Sequence, residues 1–102
     1  MKHCFRNEYS SGDITDIEEL NITIADAQAT GVYNWLPALK DKRLGEFEGV
    51  LTNDTVDAIY TYEQEGVSES VPISILINED SATVEGGEPA LGLDATLERS
   101  EC

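Results

Sequence analysis

From Leu20 onward the chain alternates apolar and polar residues with a period of two, and short runs of turn-forming residues separate the alternating stretches. That period puts successive side chains on opposite faces of an extended backbone, so each stretch predicts a half-buried β-strand. Leu20, Ile22 and Ile24 alternate with Asn21 and Thr23. Gln28 to Trp35 sets Ala29, Gly31, Tyr33 and Trp35 on one face. Leu44 to Thr52 sets Gly45, Phe47, Gly49 and Leu51 against Glu46 and Glu48. Thr55 to Gln64 aligns Val56, Ala58, Tyr60 and Tyr62, and Val67 to Ile77 aligns Val71, Ile73, Ile75 and Ile77. Asp26-Ala27, Asn53-Asp54, Glu65-Gly66 and Asn78-Glu79-Asp80 fall between the runs. Their Asn, Asp and Gly residues suit tight hairpin turns.

The two ends of the chain are less regular. Cys4 to Tyr9 predicts a first strand, followed by a turn at Ser10-Ser11-Gly12-Asp13. Ile14, Ile17 and Leu20 recur every three residues, which suits a helical turn, but the segment is short and rich in β-branched residues; it reads as extended or irregular. Ala82 to Val84 makes a short strand and Glu85 to Pro89 a loop. Leu91 to Arg99 closes the series with Leu91, Leu93, Ala95 and Leu97 on one face. Pro37 breaks the ladder after Trp35, and Pro72 places its part of the strand at an edge, a bulge or an outer margin. About eight antiparallel strands in sequence predict an all-β fold, one domain over residues 1–102. The short turns favour an up-and-down, lipocalin-like barrel, with a β-sandwich as the alternative.

The two cysteines, Cys4 and Cys102, lie at opposite ends of the chain. In a closed barrel the first and last strands are neighbours, so a Cys4–Cys102 disulfide would staple the closing seam. The chain-entropy model values a loop of about 100 residues at about 4.7 kcal/mol, and such a bond implies an oxidising compartment. Free terminal thiols and a lipid-bearing Cys4 are the alternatives. Met1 to Arg6 lacks the apolar region of a signal peptide, and a chain whose signal had been removed would read the same.

Composition narrows the function. Twenty-one acidic residues against six basic ones give a formal charge of −15, which argues against nucleic acid and against anionic lipid, since both draw on clustered Lys and Arg. No apolar run approaches the roughly 18 residues of a transmembrane helix. A single histidine, His3, and the absence of CxxC spacing leave no zinc pattern and no histidine base for a nucleophile. No metal and no cofactor is expected. The acidic turns match no calcium-loop spacing. Glu46, Glu48 and Glu63 remain as a carboxylate set for a hydrolase, with a solvated outer face as the plainer reading of the same residues.

Residues 33–49 concentrate what is unusual. They contain the one tryptophan and half of the cations. Tyr33, Trp35, Phe47, Tyr60 and Tyr62 share an inner face with small residues between them. That pattern either fills a tapering interior or lines a pocket for a small apolar ligand. Lys40, Lys42 and Arg43 form a basic patch that is either a solvated loop or a contact site for an acidic partner, and Lys40 folding back over Tyr33 or Trp35 would make a cation–π lid.

The order of motifs Tyr33-Asn34-Trp35, Lys40-Asp41, Gly45 to Gly49, Tyr60 to Gly66 and Val84 to Gly87 resembles a group of small uncharacterised exported proteins and lipoproteins of Gram-negative bacteria. The resemblance spans roughly residues 20 to 88. It implies export and a place in the periplasm or at the cell envelope, with a lipid anchor in the full-length protein, and it brings no activity with it. No lipidation signal precedes Cys4, and Val71-Pro72 stands where the group's pattern has a basic residue. The expectation is a non-enzymatic, exported, envelope-associated barrel that binds or supports. The alternatives are a lipocalin-like carrier of a small apolar or aromatic ligand and a carboxylate-dependent hydrolase.

Overall fold

The computed structural model describes residues 1–87 and 92–102. These form eight strands: β1 (Lys2–Ser11), β2 (Ile14–Ala25), β3 (Gln28–Leu36), β4 (Leu44–Thr52), β5 (Thr55–Gln64), β6 (Val67–Ile77), β7 (Ser81–Gly86) and β8 (Ala95–Ser100). Each pairs antiparallel with the next, and β8 pairs with β1, giving a closed up-and-down barrel in strand order. Period-two patterning sends one row of each strand inward. Phe5, Leu20, Ile22, Tyr33, Val56, Tyr60, Ile75, Val84 and Leu97 are fully buried there. Glu46, Glu48, Asp57 and Glu63 point outward and are exposed. This is the inverse of a membrane-spanning barrel, whose outer band is apolar.

The hairpins explain the register. Ser11 pairs with Ile14, Ala25 with Gln28, Thr52 with Thr55 and Gln64 with Val67, each across a two-residue turn. The first turn residue has a positive φ in all four: 63° at Gly12, 58° at Asp26, 56° at Asn53 and 54° at Glu65. Gly, Asp and Asn adopt this conformation readily, and the strained Glu65 is followed by Gly66, itself at 78°.

Several boundaries differ from expectation. The first turn is only Gly12-Asp13, because Ser10 and Ser11 continue β1 opposite Thr15 and Ile14. Residues 14–19 are fully extended. Their three-residue apolar spacing has no helical consequence because β1 pairs with all of them and β3 also pairs with residues 17–19. The last strand begins at Ala95, so Leu93 precedes it and Leu91 lies outside the described residues. Pro72 stands one residue beyond the β6–β7 ladder, which begins at Ile73, so its missing N–H costs no ladder bond.

The closing seam is the shortest: β1 and β8 share only three pairs, Cys4 to Arg6 with Ser100 to Glu98. Three side-chain devices reinforce it. The Cys4 and Cys102 sulfurs are 2.09 Å apart, with Cα atoms at 5.2 Å; a sulfur held in this bond has no valence left for a lipid thioether. Beyond the ladder, the Asn7 side chain donates to the Thr96 carbonyl (2.8 Å) and accepts from the Glu98 N–H (3.1 Å), so it continues the seam in place of backbone. Arg99 lies 4.7 Å above the Phe5 ring and donates to the carbonyls of Asn78 and Glu79.

The same guanidinium contacts His3 Nδ1 at 3.0 Å. Arginine only donates, so this bond requires an unprotonated Nδ1. Burial first, then the charges of Arg99 and the N-terminus, lower the His3 pKa below its ordinary 6.5. A base whose folded pKa is lowered contributes stability above its unfolded pKa, and that contribution is lost as pH falls through the folded value. Wild type is therefore expected to lose melting temperature relative to His3→Gln as pH drops below 6.5. Parallel melting curves for the two proteins across that range would show no His3 contribution.

Candidate functional site

Because the strands alternate in direction, the turn at Gly12-Asp13, the β3–β4 connection, the turn at Glu65-Gly66 and the β7–β8 connection share one mouth of the barrel. The candidate residues of the 33–49 segment cluster there, and the β3–β4 seam below them is built unusually. Gln28 to Val32 pair with Val50 to Glu46, and then the ladder is interrupted until an isolated bridge between Trp35 and Arg43. In the gap, two side chains replace backbone. Asn34 Oδ1 accepts the Gly45 N–H at 3.0 Å, and the Tyr60 hydroxyl, reaching across from β5, donates to the Tyr33 carbonyl.

Glycines receive the rings. A Cβ at Gly45 would lie 2.4 Å from the Tyr60 ring; one at Gly31 would meet the Asn21 carbonyl oxygen of β2 first and then the tip of Phe47 at 2.7 Å. Small residues opposite aromatics are therefore seats for those aromatics rather than empty space. Tyr60 packs against Tyr33 (centroids 5.6 Å) and stacks on Tyr62 (5.5 Å). Tyr33 donates its hydroxyl to the Leu93 carbonyl at 2.9 Å, and Leu93, from the β7–β8 connection, is itself buried. Tyr62 donates to Glu69 at 3.1 Å. Trp35 is half-buried and Phe47 buried. Among the proposed ligand-wall residues, then, Tyr33, Phe47, Tyr60 and Tyr62 pack inside the barrel, with Trp35 beside them at the mouth.

The basic patch divides. Lys40 and Lys42 are exposed on the connection, but Arg43 is only 2% exposed, with its guanidinium 5.1 Å from the Tyr33 ring centre. Arg43, not Lys40, supplies the cation over Tyr33, and Arg43 is not part of a solvated loop. The signal was present in the sequence: Arg43 has the same parity as Gly45, Phe47 and Gly49, so extending the alternation of β4 back by two residues turns it inward. Burial of the aliphatic stem and contact with a π-face suit arginine's weakly hydrated fork. Burial pushes the Tyr33 phenol far above its usual value and raises Tyr60 as well, with Arg43 opposing both shifts. Both phenols are neutral donors at physiological pH, fixed on backbone carbonyls.

The connection is tied down at two points. Asp16 accepts the Ala38 N–H at 2.9 Å, and Gln64 donates to the Asp41 carbonyl at 3.4 Å. Its tip, Leu39, is 78% exposed. On the outer face of β3–β5, a groove of about 480 Å³ runs past Val32, Glu46, Glu48 and Ile59. Glu46, Glu48 and Glu63 thus meet solvent on the outside of the barrel. Among the described residues, no three His, Cys, Asp or Glu side chains come together in a group that could hold a metal ion. Leu93 shares the buried face with Leu97 as the alternation of the closing run predicts, although it precedes β8; the groove residues Thr30, Val32, Ile59 and Thr61 carry no signal in the sequence. Their neighbourhood depends on strand register, which no local pattern encodes.

No protein-family model matches the chain, and neither a curated protein nor a solved structure is similar to it.

Proposed function

We propose that this chain is a non-enzymatic, exported, envelope-associated barrel that acts through its outer surface and the loops of one mouth rather than through an internal chamber. The observation that carries this reading is the occupancy of the interior: Tyr60 seated on Gly45, Phe47 on Gly31, and Tyr33 between Arg43 and the Leu93 carbonyl. A carrier barrel needs its concave interior for the ligand; here side chains of the chain itself take up those positions. The Cys4–Cys102 pair at bonding distance supports an oxidising compartment, and the resemblance to small envelope proteins points the same way. The interaction surface on this reading includes Lys40 and Lys42, exposed cations on a molecule of net charge −15, which suit an acidic protein partner.

The test uses Trp35, half-buried at the mouth and the only tryptophan. Titration with fatty acids, lysolipids and small aromatic compounds is expected to leave its emission unchanged. A saturable change that is lost in Tyr33→Ala would overturn the reading in favour of a lipocalin-like carrier.

A further inference from the structure

We infer that the Cys4–Cys102 bond is a thiol-exchange site, at which an external thiol attaches to Cys102 and releases the β1–β8 seam. The two cysteines are unequally placed. Cys4 is 5% exposed and sits in two ladders, opposite Asn21 on β2 and Ser100 on β8. Cys102 is exposed and lies beyond the end of β8 at Ser100, outside the strand ladders. Exchange begins when a thiolate attacks one sulfur of a disulfide and the other sulfur leaves, and access decides which sulfur is attacked. Access here directs attack to Cys102 and makes Cys4 the leaving sulfur.

The wall offers the thiol a way in. A groove of about 170 Å³ opens on the bond, lined by both cysteines, with Lys2 and Arg6 of β1, Glu19 of β2 and Glu101 around them. A water needs only about 10–15 Å³ of such space, so a thiol group with a short carbon chain fits. Two cations face two carboxylates in this lining, and Arg6 is also paired to Glu8 at 2.8 Å. The groove therefore selects by access to sulfur and not by the charge of the incoming thiol.

The chemistry balances in two steps. The external thiolate bonds to Cys102 Sγ as the S–S bond breaks, and the electron pair leaves with Cys4 Sγ as a thiolate. A second thiolate then attacks the external sulfur of the mixed disulfide, frees Cys102 as a thiolate and departs as the oxidised dimer of the thiol. Lys2 lies two residues from Cys4, on the same face of β1 and in the same groove, and a cation beside a sulfur favours its thiolate. The first step displaces no ladder bond, because Cys102 stands outside the strands. What it releases is local. Among the described residues, β1 and β8 share three backbone pairs and every other neighbouring pair of strands shares at least four. Once the bond is cut, the seam is the weakest part of the wall.

The experiment treats the oxidised full chain, folded and at neutral pH, with 2-mercaptoethanol in one arm. The other arm uses a reduced thioredoxin whose resolving cysteine is replaced by serine, so that its mixed disulfide persists. Both reactions are quenched early with N-ethylmaleimide and mapped by peptide mass spectrometry. The added thiol is expected on Cys102 and the maleimide on Cys4, in at least tenfold excess over the reverse arrangement. Low concentrations of urea are expected to leave the rate unchanged, because the folded chain is attacked. An adduct of 2-mercaptoethanol alone assigns the site to small thiols, and a trapped thioredoxin assigns it to a protein dithiol; either upholds the inference. Equal adducts on the two cysteines, or a rate that climbs with urea as the unfolded fraction does, would mean that exchange needs the unfolded chain, and the inference fails. It fails equally if neither thiol reaches the bond while the barrel is folded.

Discussion

Reduction of the Cys4–Cys102 bond is expected to lower the melting temperature by about 20 °C or more. The bond spans 98 residues, and closing a loop of that length restricts the unfolded chain by about 4.7 kcal/mol in the entropy model. For a domain of about 100 residues each kcal/mol moves the melting point by about 4–8 °C. The effect should be concentrated where the bond sits. β1 and β8 share three backbone pairs, whereas β4–β5 shares nine and β5–β6 ten. With the bond cut, hydrogen exchange should accelerate in Lys2–Arg6 and Glu98–Ser100 well before it does in β5. Cys102→Ser, at an exposed position, should reproduce the effect of reductant and should then be insensitive to it. Equal melting temperatures in the oxidised and reduced states would mean that Asn7, Arg99 and Phe5 hold the seam without the cysteines.

That seam also shows what a sequence can carry. Alternation identified β4, β5 and β6 to their ends, because each is a long amphipathic run bounded by Asn-Asp or Glu-Gly. Closure could be reasoned from strand number together with the terminal cysteines. Where local pattern and tertiary pairing diverge, the pattern misleads. Ile14, Ile17 and Leu20 have helical spacing, yet the segment is extended, as its β-branched residues suggest, with β1 pairing along all of it and β3 from Ile17 onward. The charge of Arg43 suggests a surface position, although its parity places it inside, where it is 2% exposed. The glycines of β3 and β4 were ambiguous between a void and a seat. Only the diagonal reach of Tyr60 across to Gly45 decides this, and diagonal contacts depend on barrel coiling. The groove along β4 was invisible for the same reason: it collects residues from three strands brought together by register alone.

Gly45→Ala is expected to destabilise the barrel by about 3 kcal/mol or more, an unusually large effect for one added methyl group. Overpacking a well-filled core costs about 1–3 kcal/mol, and here the obstructing group has little freedom to yield. The new Cβ would lie 2.4, 2.6 and 2.7 Å from Cε1, Cζ and Oη of Tyr60. Tyr60 is fully buried, flanked by Tyr33 and Tyr62, and tethered through its hydroxyl to the Tyr33 carbonyl. If the ring moves, that carbonyl loses its donor in the interrupted stretch of the β3–β4 ladder, and leaving a buried acceptor unsatisfied adds about 1–3 kcal/mol. Tyr60→Phe isolates this second contribution, since it removes the hydroxyl and keeps the ring. Tyr60→Leu removes the obstruction, so Gly45→Ala should cost much less in that background, with a coupling of about 1–3 kcal/mol between the two sites. Gly66→Ala serves as the contrast. Unlike Gly45 it has a positive φ, but no atom lies within 4 Å of the added carbon, so backbone strain alone should limit its cost to about 1–2 kcal/mol. Chemical denaturation of these variants separates the two explanations of the inner glycines. If Gly45→Ala costs the same with tyrosine or leucine at 60, the glycine serves backbone geometry, and Tyr60 is not the side chain that fills the space above it.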